Sequence, residues 1–178
     1  VIAGTGDNSA TAVATGSLQY GYPILSIGTS GVLVLPRDRV NAEAKGKNIL
    51  FSLDGEEVTC LTQGVVQSAG GSYSWYVKKI LGISSFDSVS GDIDITEVGS
   101  KHLLFYPHLN GDKTIYGDPT LRGAFLGLAI NDSKEDLAVA VMEGISFAVK
   151  QLIQEMDLSL EQLDQLIVTG GGANSKAW

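Results

Sequence analysis

The sequence is poor in the residues that build disulfide frameworks, metal clusters and nucleic-acid-binding surfaces. It contains one cysteine, Cys60, and two histidines. A lone cysteine excludes an internal disulfide and a thiol-based metal cluster, and it favours a reducing, cytoplasmic compartment. Twelve basic residues against twenty acidic ones give a net charge of −8, whereas a non-specific nucleic-acid binder needs a basic face. Nucleic acid is therefore not an expected partner.

Long apolar runs are also missing, so no membrane-spanning segment is expected. The opening residues 1–3 do not resemble a signal peptide. The chain begins with Val1 in a predicted short strand and ends at Trp178 just after a glycine-rich turn, which we interpret as an excised piece of a longer protein. The content of 44% hydrophobic and 18% charged residues is typical of a soluble globular domain, and 178 residues suit a single core.

Strand and helix patterns alternate along the chain, which indicates an α/β fold. Glycine and aspartate turns separate the apolar runs of two predicted hairpins. The strands are predicted over residues 23–26, 32–35, 48–53, 57–61, 103–106 and 165–169. The helices are predicted over residues 8–16, 67–81 and 133–156, with a further helical turn over 159–163. Ser133 is expected to cap the longest helix, with Asp136 three residues on in the capping-box position.

Several polar and aromatic side chains carry no site prediction. Trp75 is expected to pack in the core or at an interface. The others are expected on solvated faces, at a strand edge or in loops, and the histidines among them have no partners at metal-ligand spacing: Lys78, Lys79, Asp92, Asp94, His102 and His108.

Asp7 lies where a glycine-rich turn becomes a helix of small residues. A carboxylate at that position can cap the helix, a contribution of about 1 kcal/mol. It can also serve as a general base at the mouth of a cleft and take a proton from a hydroxyl. The spacing alone favours the cap.

Two further turns are compatible with phosphate binding. The hairpin tip from Gly28 to Gly31 is either an ordinary turn or a source of N–H and hydroxyl donors for phosphate oxygens. The three glycines from Gly170 to Gly172 follow a strand, and they expose backbone N–H groups to a ligand that no Cβ hinders. Neither a Rossmann fingerprint nor a P-loop is present. Together with Asp7, these turns are suited to phosphoryl transfer by positioning.

Two segments carry a family resemblance. Residues 123–128, read with residues 136–143, match a signature of the FGGY-type carbohydrate kinases, and residues 103–111 are similar to another segment of that family, with Asp112 and Lys113 in place of Glu and Arg. The chain resembles the C-terminal half of these kinases over essentially all of its length, and among them it looks most like the xylulokinases.

The resemblance implies an actin-like ATPase fold, which is ribonuclease H-like, with a mixed sheet and flanking helices. Residues 1–178 would form most of the C-terminal domain of a two-domain sugar kinase, without the N-terminal domain and the final helices. The expected partners are ATP, a small sugar and the N-terminal domain, which would supply most of the Mg²⁺ site; a homodimer is left open. The 178 residues alone are expected to be inactive.

The resemblance also assigns roles to individual residues. It makes Asp7 the catalytic base, with Asn8 beside it in the sugar site. The second phosphate loop would be formed by Gly28, Thr29 and Ser30. The adenosine motif would be formed by Gly170, Gly171, Gly172, Ala173 and Asn174, with Gly70 and Ser74 as further adenine-pocket positions. Gly127 and Glu143 of the signature are expected to be structural.

The implied reaction is ATP-dependent phosphorylation of a sugar hydroxyl, from D-xylulose to D-xylulose 5-phosphate. The alternatives are another FGGY kinase, acting on gluconate, another ketose or glycerol, and a non-catalytic nucleotide-binding module of the same fold.

Overall fold

The computed structural model describes residues 4–91, 93, 98–99, 102–159 and 163–178. The predicted opening strand, the pair Asp92 and Asp94 and the middle of the helical turn predicted over 159–163 lie outside these residues. The described strands are β1 (Ile24–Ile27), β2 (Gly31–Arg37), β3 (Lys47–Phe51), β4 (Thr59–Val66), β5 (Leu104–Tyr106), β6 (Ala124–Leu126) and β7 (Ile167–Thr169). The described α-helices are α1 (Asp7–Ala14), α2 (Ser17–Tyr20), α3 (Gly70–Trp75), α4 (Asp87–Ser90) and α5 (Lys134–Glu155).

Five strands form a mixed sheet in the order β3-β4-β2-β1-β7. Both predicted hairpins are confirmed, since β1 pairs with β2 and β3 pairs with β4 in antiparallel fashion. The last strand differs: β7 lies parallel to β1, with Ser26 opposite Thr169. Because parallel strands end at the same edge of a sheet, the hairpin tip after Ile27 and the glycine turn after Thr169 become neighbours.

The two faces of this sheet are covered differently. The larger core lies on the face of α3 and α5, where Leu33 and Leu35 of β2 point. The smaller cluster lies on the other face and joins Ala12 of α1 to Ile24 and Val34. Successive side chains of β1 and β2 point to opposite faces of the sheet, because side chains in a strand repeat every two residues.

Helix α5 is the main element of the larger core. Its predicted cap is confirmed: the Asp136 backbone N–H donates to Ser133 Oγ at 3.1 Å, and the Ser133 N–H donates to Asp136 Oδ2 at 2.8 Å. The helix passes close to β5 at Gly144, where a Cβ atom would lie 2.1 Å from the Phe105 carbonyl oxygen. Glycine is required at this crossing, although it lowers helix propensity.

A second, two-stranded sheet joins β5 and β6, with Phe105 opposite Phe125. The ring centroids of these two residues are 4.7 Å apart, and Phe125 also contacts Tyr76 at 6.4 Å. Strand β6 lies in the segment that carries the family signature, and its aromatic packing agrees with the structural role expected there. None of the described helices is long and apolar enough to cross a membrane.

The helix predicted over 67–81 is confirmed in part. It begins at Gly70 as α3 and continues as a π-helical turn, Tyr76–Ile80. The helix predicted over 8–16 is present as α1, followed by the short α2.

Candidate functional site

The candidate site is a cavity of about 940 Å³ at the edge of the mixed sheet where β1 and β7 end. Its walls come from the hairpin tip, from α3 with the π-helical turn, from α4, and from a 3₁₀ turn, Gly171–Asn174, that follows β7. It also receives Leu109 and Asn110 from the long loop after β5. Segments more than 140 residues apart in the chain therefore share one cavity.

Most residues of the predicted nucleotide site line this cavity. They belong to the hairpin tip, to the helix after it and to the closing glycine turn: Gly28, Thr29, Gly70, Ser74, Gly171, Gly172 and Asn174. The structure therefore brings these three segments together at one cavity.

Three predicted residues lie beside the cavity instead. The Ser30 hydroxyl donates to the Gln67 carbonyl oxygen at 3.1 Å, so it ties the hairpin tip to the end of β4. Gly170 has φ +87°, and a Cβ atom there would lie 2.6 Å from the Ile27 carbonyl oxygen. Ala173 lines a neighbouring apolar cavity of about 470 Å³. These residues shape the site rather than face it.

Asp7 and Asn8 lie on α1 and do not line the cavity. The helix cap that the spacing alone favours for Asp7 is wrong. Gly6 is the N-cap residue, no side chain caps the helix, and Asp7 is its first residue. The Asp7 carboxylate is exposed and accepts a hydrogen bond from the neighbouring Asn8 N–H at 2.9 Å.

Helix α3 approaches the hairpin tip closely enough for main-chain hydrogen bonds. The Gly70 N–H donates to the Gly28 carbonyl oxygen, and the Gly71 N–H donates to the Thr29 carbonyl oxygen, each at 2.9 Å. A Cβ atom on Gly70 would lie 2.4 Å from that Gly28 oxygen. The absence of a side chain at Gly70 therefore allows this close approach, and the two hydrogen bonds hold the tip against α3.

Three aromatic side chains that have no predicted role also line the cavity: Tyr73, Phe86 and Trp178. The Tyr73 ring lies 5.9 Å from the Phe86 ring and 6.1 Å from the Trp178 ring, centroid to centroid. Trp75 lines the cavity too, and it stacks on Phe105 of the core at 6.4 Å, which confirms its predicted packing role.

Lys78 and Lys79 are the basic residues among those that line the cavity. The Lys78 ammonium lies over the Phe86 ring, 4.8 Å from its centroid. The prediction that these lysines only form a solvated helix face is therefore incomplete, although both are exposed. The spacing of four residues between Ser74 and Lys78 places both on one helix face, and this signal was available in the sequence.

The described residues contain no group of three or more His, Cys, Asp or Glu side chains that could hold a metal ion. Asp87 is the carboxylate among the residues that line the cavity.

The family model for the FGGY family of carbohydrate kinases, C-terminal domain, matches residues 24–178. The chain belongs to this family. The match covers both the hairpin tip and the closing glycine turn, the two segments on which the cavity is built.

Named relatives agree with this assignment. A xylulose kinase from Bacillus subtilis (strain 168) is 30% identical over 178 residues, and a gluconokinase from the same strain is 24% identical over 188 residues. These alignments cover 100% and 99% of this chain and 36% of each relative. The chain thus spans about one third of the length of the curated relatives that it matches.

A solved structure shows the same fold. The crystal structure of a "xyloylose kinase" from Brucella ovis superposes with a TM-score of 0.84 at 30% identity, over 98% of this chain and 36% of that one. The predicted fold class, the α/β domain of an actin-like ATPase, is confirmed.

We expect Gly70→Ala to destabilise the contact between α3 and the hairpin tip. The new Cβ atom would overlap the Gly28 carbonyl oxygen, and overpacking of this kind costs about 1–3 kcal/mol. Chemical denaturation of the full-length protein measures the loss in free energy of unfolding.

Gly171→Ala is the matched control for this variant. Gly171 also lines the cavity, but nothing lies within 4 Å of a Cβ atom built there. Equal destabilisation by both substitutions, or an unchanged stability of Gly70→Ala, would contradict the close approach.

Proposed function

We propose that this chain is the nucleotide-binding, C-terminal part of a sugar kinase that transfers the γ-phosphoryl group of ATP to a sugar hydroxyl. One observation carries the proposal: a glycine-flanked hairpin tip and a glycine turn, predicted separately as phosphate and adenosine segments, line one cavity. Phosphoryl transfer depends mainly on positioning and electrostatic stabilisation, and such a cavity suits that task.

In this proposal the nucleotide lies along α3. The phosphates lie at Gly28 and Thr29. Because Gly28 has no Cβ atom, the main chain there can approach the phosphate oxygens closely. The adenosine lies between Ser74 of α3 and Asn174 of the closing turn, which face the same cavity. Lys78 and Lys79 supply positive charge to a chain of net charge −8 and favour an anionic ligand.

Asp7 is proposed as the general base. Its exposed carboxylate accepts the proton of the sugar hydroxyl as that oxygen bonds to the γ-phosphorus, and the bond to the β-phosphate oxygen breaks to release ADP. The absence of a capping hydrogen bond leaves this carboxylate available, and Asn8 beside it belongs to the same proposed sugar site.

The reaction requires parts beyond these 178 residues. We propose an N-terminal domain as the partner that closes the sugar site and supplies most of the ligands for a Mg²⁺ ion bound to ATP. The ion would neutralise charge on the phosphates. This assignment is consistent with relatives that are about three times as long as this chain, and the chain alone is proposed to be inactive.

D-xylulose is the proposed substrate, with D-xylulose 5-phosphate as the product. The support is the identity of 30% to a protein named xylulose kinase, above the 24% to one named gluconokinase. Gluconate, another ketose and glycerol are the competing substrates.

A substrate panel tests the proposed function. We expect the full-length protein with MgATP to release ADP with D-xylulose at a kcat/KM at least tenfold above that with L-ribulose, gluconate or glycerol, since discrimination of roughly that size follows from one or two pocket contacts. A coupled ADP-release assay measures it. A higher kcat/KM for another sugar would overturn the assignment of D-xylulose as the substrate. ATP binding without ADP release in the presence of any of these sugars would support the non-catalytic module.

Asp7→Asn tests the base in the full-length protein. The substitution removes the proton acceptor but keeps the size of the side chain, so kcat should fall roughly 10²–10⁴-fold while the affinity for ATP stays the same. Asp38→Asn changes another exposed aspartate and is the control. An Asp7→Asn variant that keeps most of the wild-type kcat would exclude Asp7 as the base.

A further inference from the structure

A buried histidine–carboxylate pair lies in the loop after β5, next to the residues that this loop contributes to the cavity. The His108 side chain is 2% exposed and that of Asp112 is 0% exposed, and His108 Nδ1 lies 3.4 Å from Asp112 Oδ2. In the described part of the chain both atoms are buried without a hydrogen-bond partner, so each is the nearest charged or polar group available to the other at a distance just beyond a good hydrogen bond. The sequence predicts an ordinary loop histidine at this position, and the burial of His108 shows that this prediction is incomplete.

The pair has a defined orientation. The other Asp112 oxygen, Oδ1, accepts hydrogen bonds from the backbone N–H groups of Tyr116 and Gly117 at 2.6 and 3.2 Å. The His108 ring packs against the rings of Tyr106 and Tyr116, with centroids 4.3 and 5.4 Å away. Both side chains are thus held in place on the sides that do not face each other.

The protonation state suits a hydrogen bond from the imidazole to the carboxylate. Burial lowers the pKa of His108, against the opposing effect of Asp112, so the imidazole is neutral at pH 7. A neutral imidazole carries its proton on one nitrogen, and Nδ1 is the nitrogen that faces an acceptor. Leaving a buried polar group unsatisfied is unfavourable, which favours a proton on Nδ1 directed at Asp112 Oδ2.

The histidine–carboxylate pair lies on either side of a turn that forms part of the cavity wall. His108 and Asp112 flank the turn of Leu109, Asn110 and Gly111, and the first two of these line the cavity. The Gly111 N–H donates to the His108 carbonyl oxygen at 3.1 Å. The contact between the two side chains therefore lies at the base of a turn whose tip forms part of the cavity wall.

We propose that His108 and Asp112 are positioning residues for the nucleotide, and that a hydrogen bond donated by His108 Nδ1–H to Asp112 Oδ2 holds Leu109 and Asn110 in the wall of the cavity. This inference rests on the proposed function, because it takes the cavity to be the ATP site. Neither residue touches the nucleotide in this proposal, so substitution of either one changes ATP affinity through the placement of the turn.

Two substitutions at His108 separate the hydrogen bond from the ring packing. His108→Phe keeps an aromatic ring against Tyr106 and Tyr116 but removes the donor. His108→Asn loses the ring but places an amide N–H near the position of Nδ1. Isothermal titration calorimetry with MgATP, in the full-length protein, measures the Kd of each variant, and thermal unfolding confirms that each is folded.

We expect His108→Phe to raise the Kd for ATP roughly tenfold, and His108→Asn to keep it within about threefold of the wild type. His102→Phe is the control, since His102 is exposed and lies outside the cavity wall; its Kd should be unchanged. If His108→Phe does not fold, the double variant His108→Phe, Asp112→Asn replaces it with the same expectation, because it leaves no unpaired buried carboxylate.

Other outcomes overturn the inference in distinguishable ways. If the wild type binds ATP and His108→Phe binds it equally well, the positioning role is wrong and the proposed function stands. If His108→Asn weakens binding as much as His108→Phe, a donor restored near the position of Nδ1 does not rescue the site, and the inferred role of the hydrogen bond is wrong. If the wild type does not bind ATP at all, the proposed function fails, and the role of the pair fails with it.

Discussion

The parallel pairing of β7 with β1 is the constraint on which the candidate site depends. Its register sets Ser26 opposite Thr169. The glycine turn follows Thr169 directly, and the hairpin tip follows Ile27, the last residue of β1. Gly170 takes φ +87° and packs against the Ile27 backbone, which keeps the second turn against the first. Without this pairing the hairpin tip and the glycine turn would be two unrelated loops, because more than 140 residues separate them in the sequence.

The rest of the cavity is built around that edge by close main-chain contacts. Helix α3 is hydrogen-bonded through Gly70 to the tip, so its face with Ser74 and Lys78 continues the wall that the tip begins. The long loop adds Asn110 at its far side. A ligand that spans the cavity would meet backbone at one end and aromatic and charged side chains along α3, which is the distribution of chemistry that a nucleotide needs.

Much of the fold could be predicted from the sequence because its signals are local. The hairpin from 23 to 35 and the cap at Ser133 each depend on residues close together in the chain, and both are present. Strand β6 was not predicted, since it pairs with β5, which lies about 20 residues earlier in the chain. The burial of His108 beside Asp112 could not be predicted either, because the loop that covers the pair has no periodic pattern. The cap expected at Asp7 was wrong because Gly6 takes the N-cap position.

A crystal structure of the full-length protein with a non-hydrolysable ATP analogue and Mg²⁺ would test the central claim, that this cavity binds the nucleotide. The account predicts the phosphates against Gly28 and Thr29 and the base between Ser74 and Asn174. A nucleotide bound elsewhere, with this cavity empty, would contradict it.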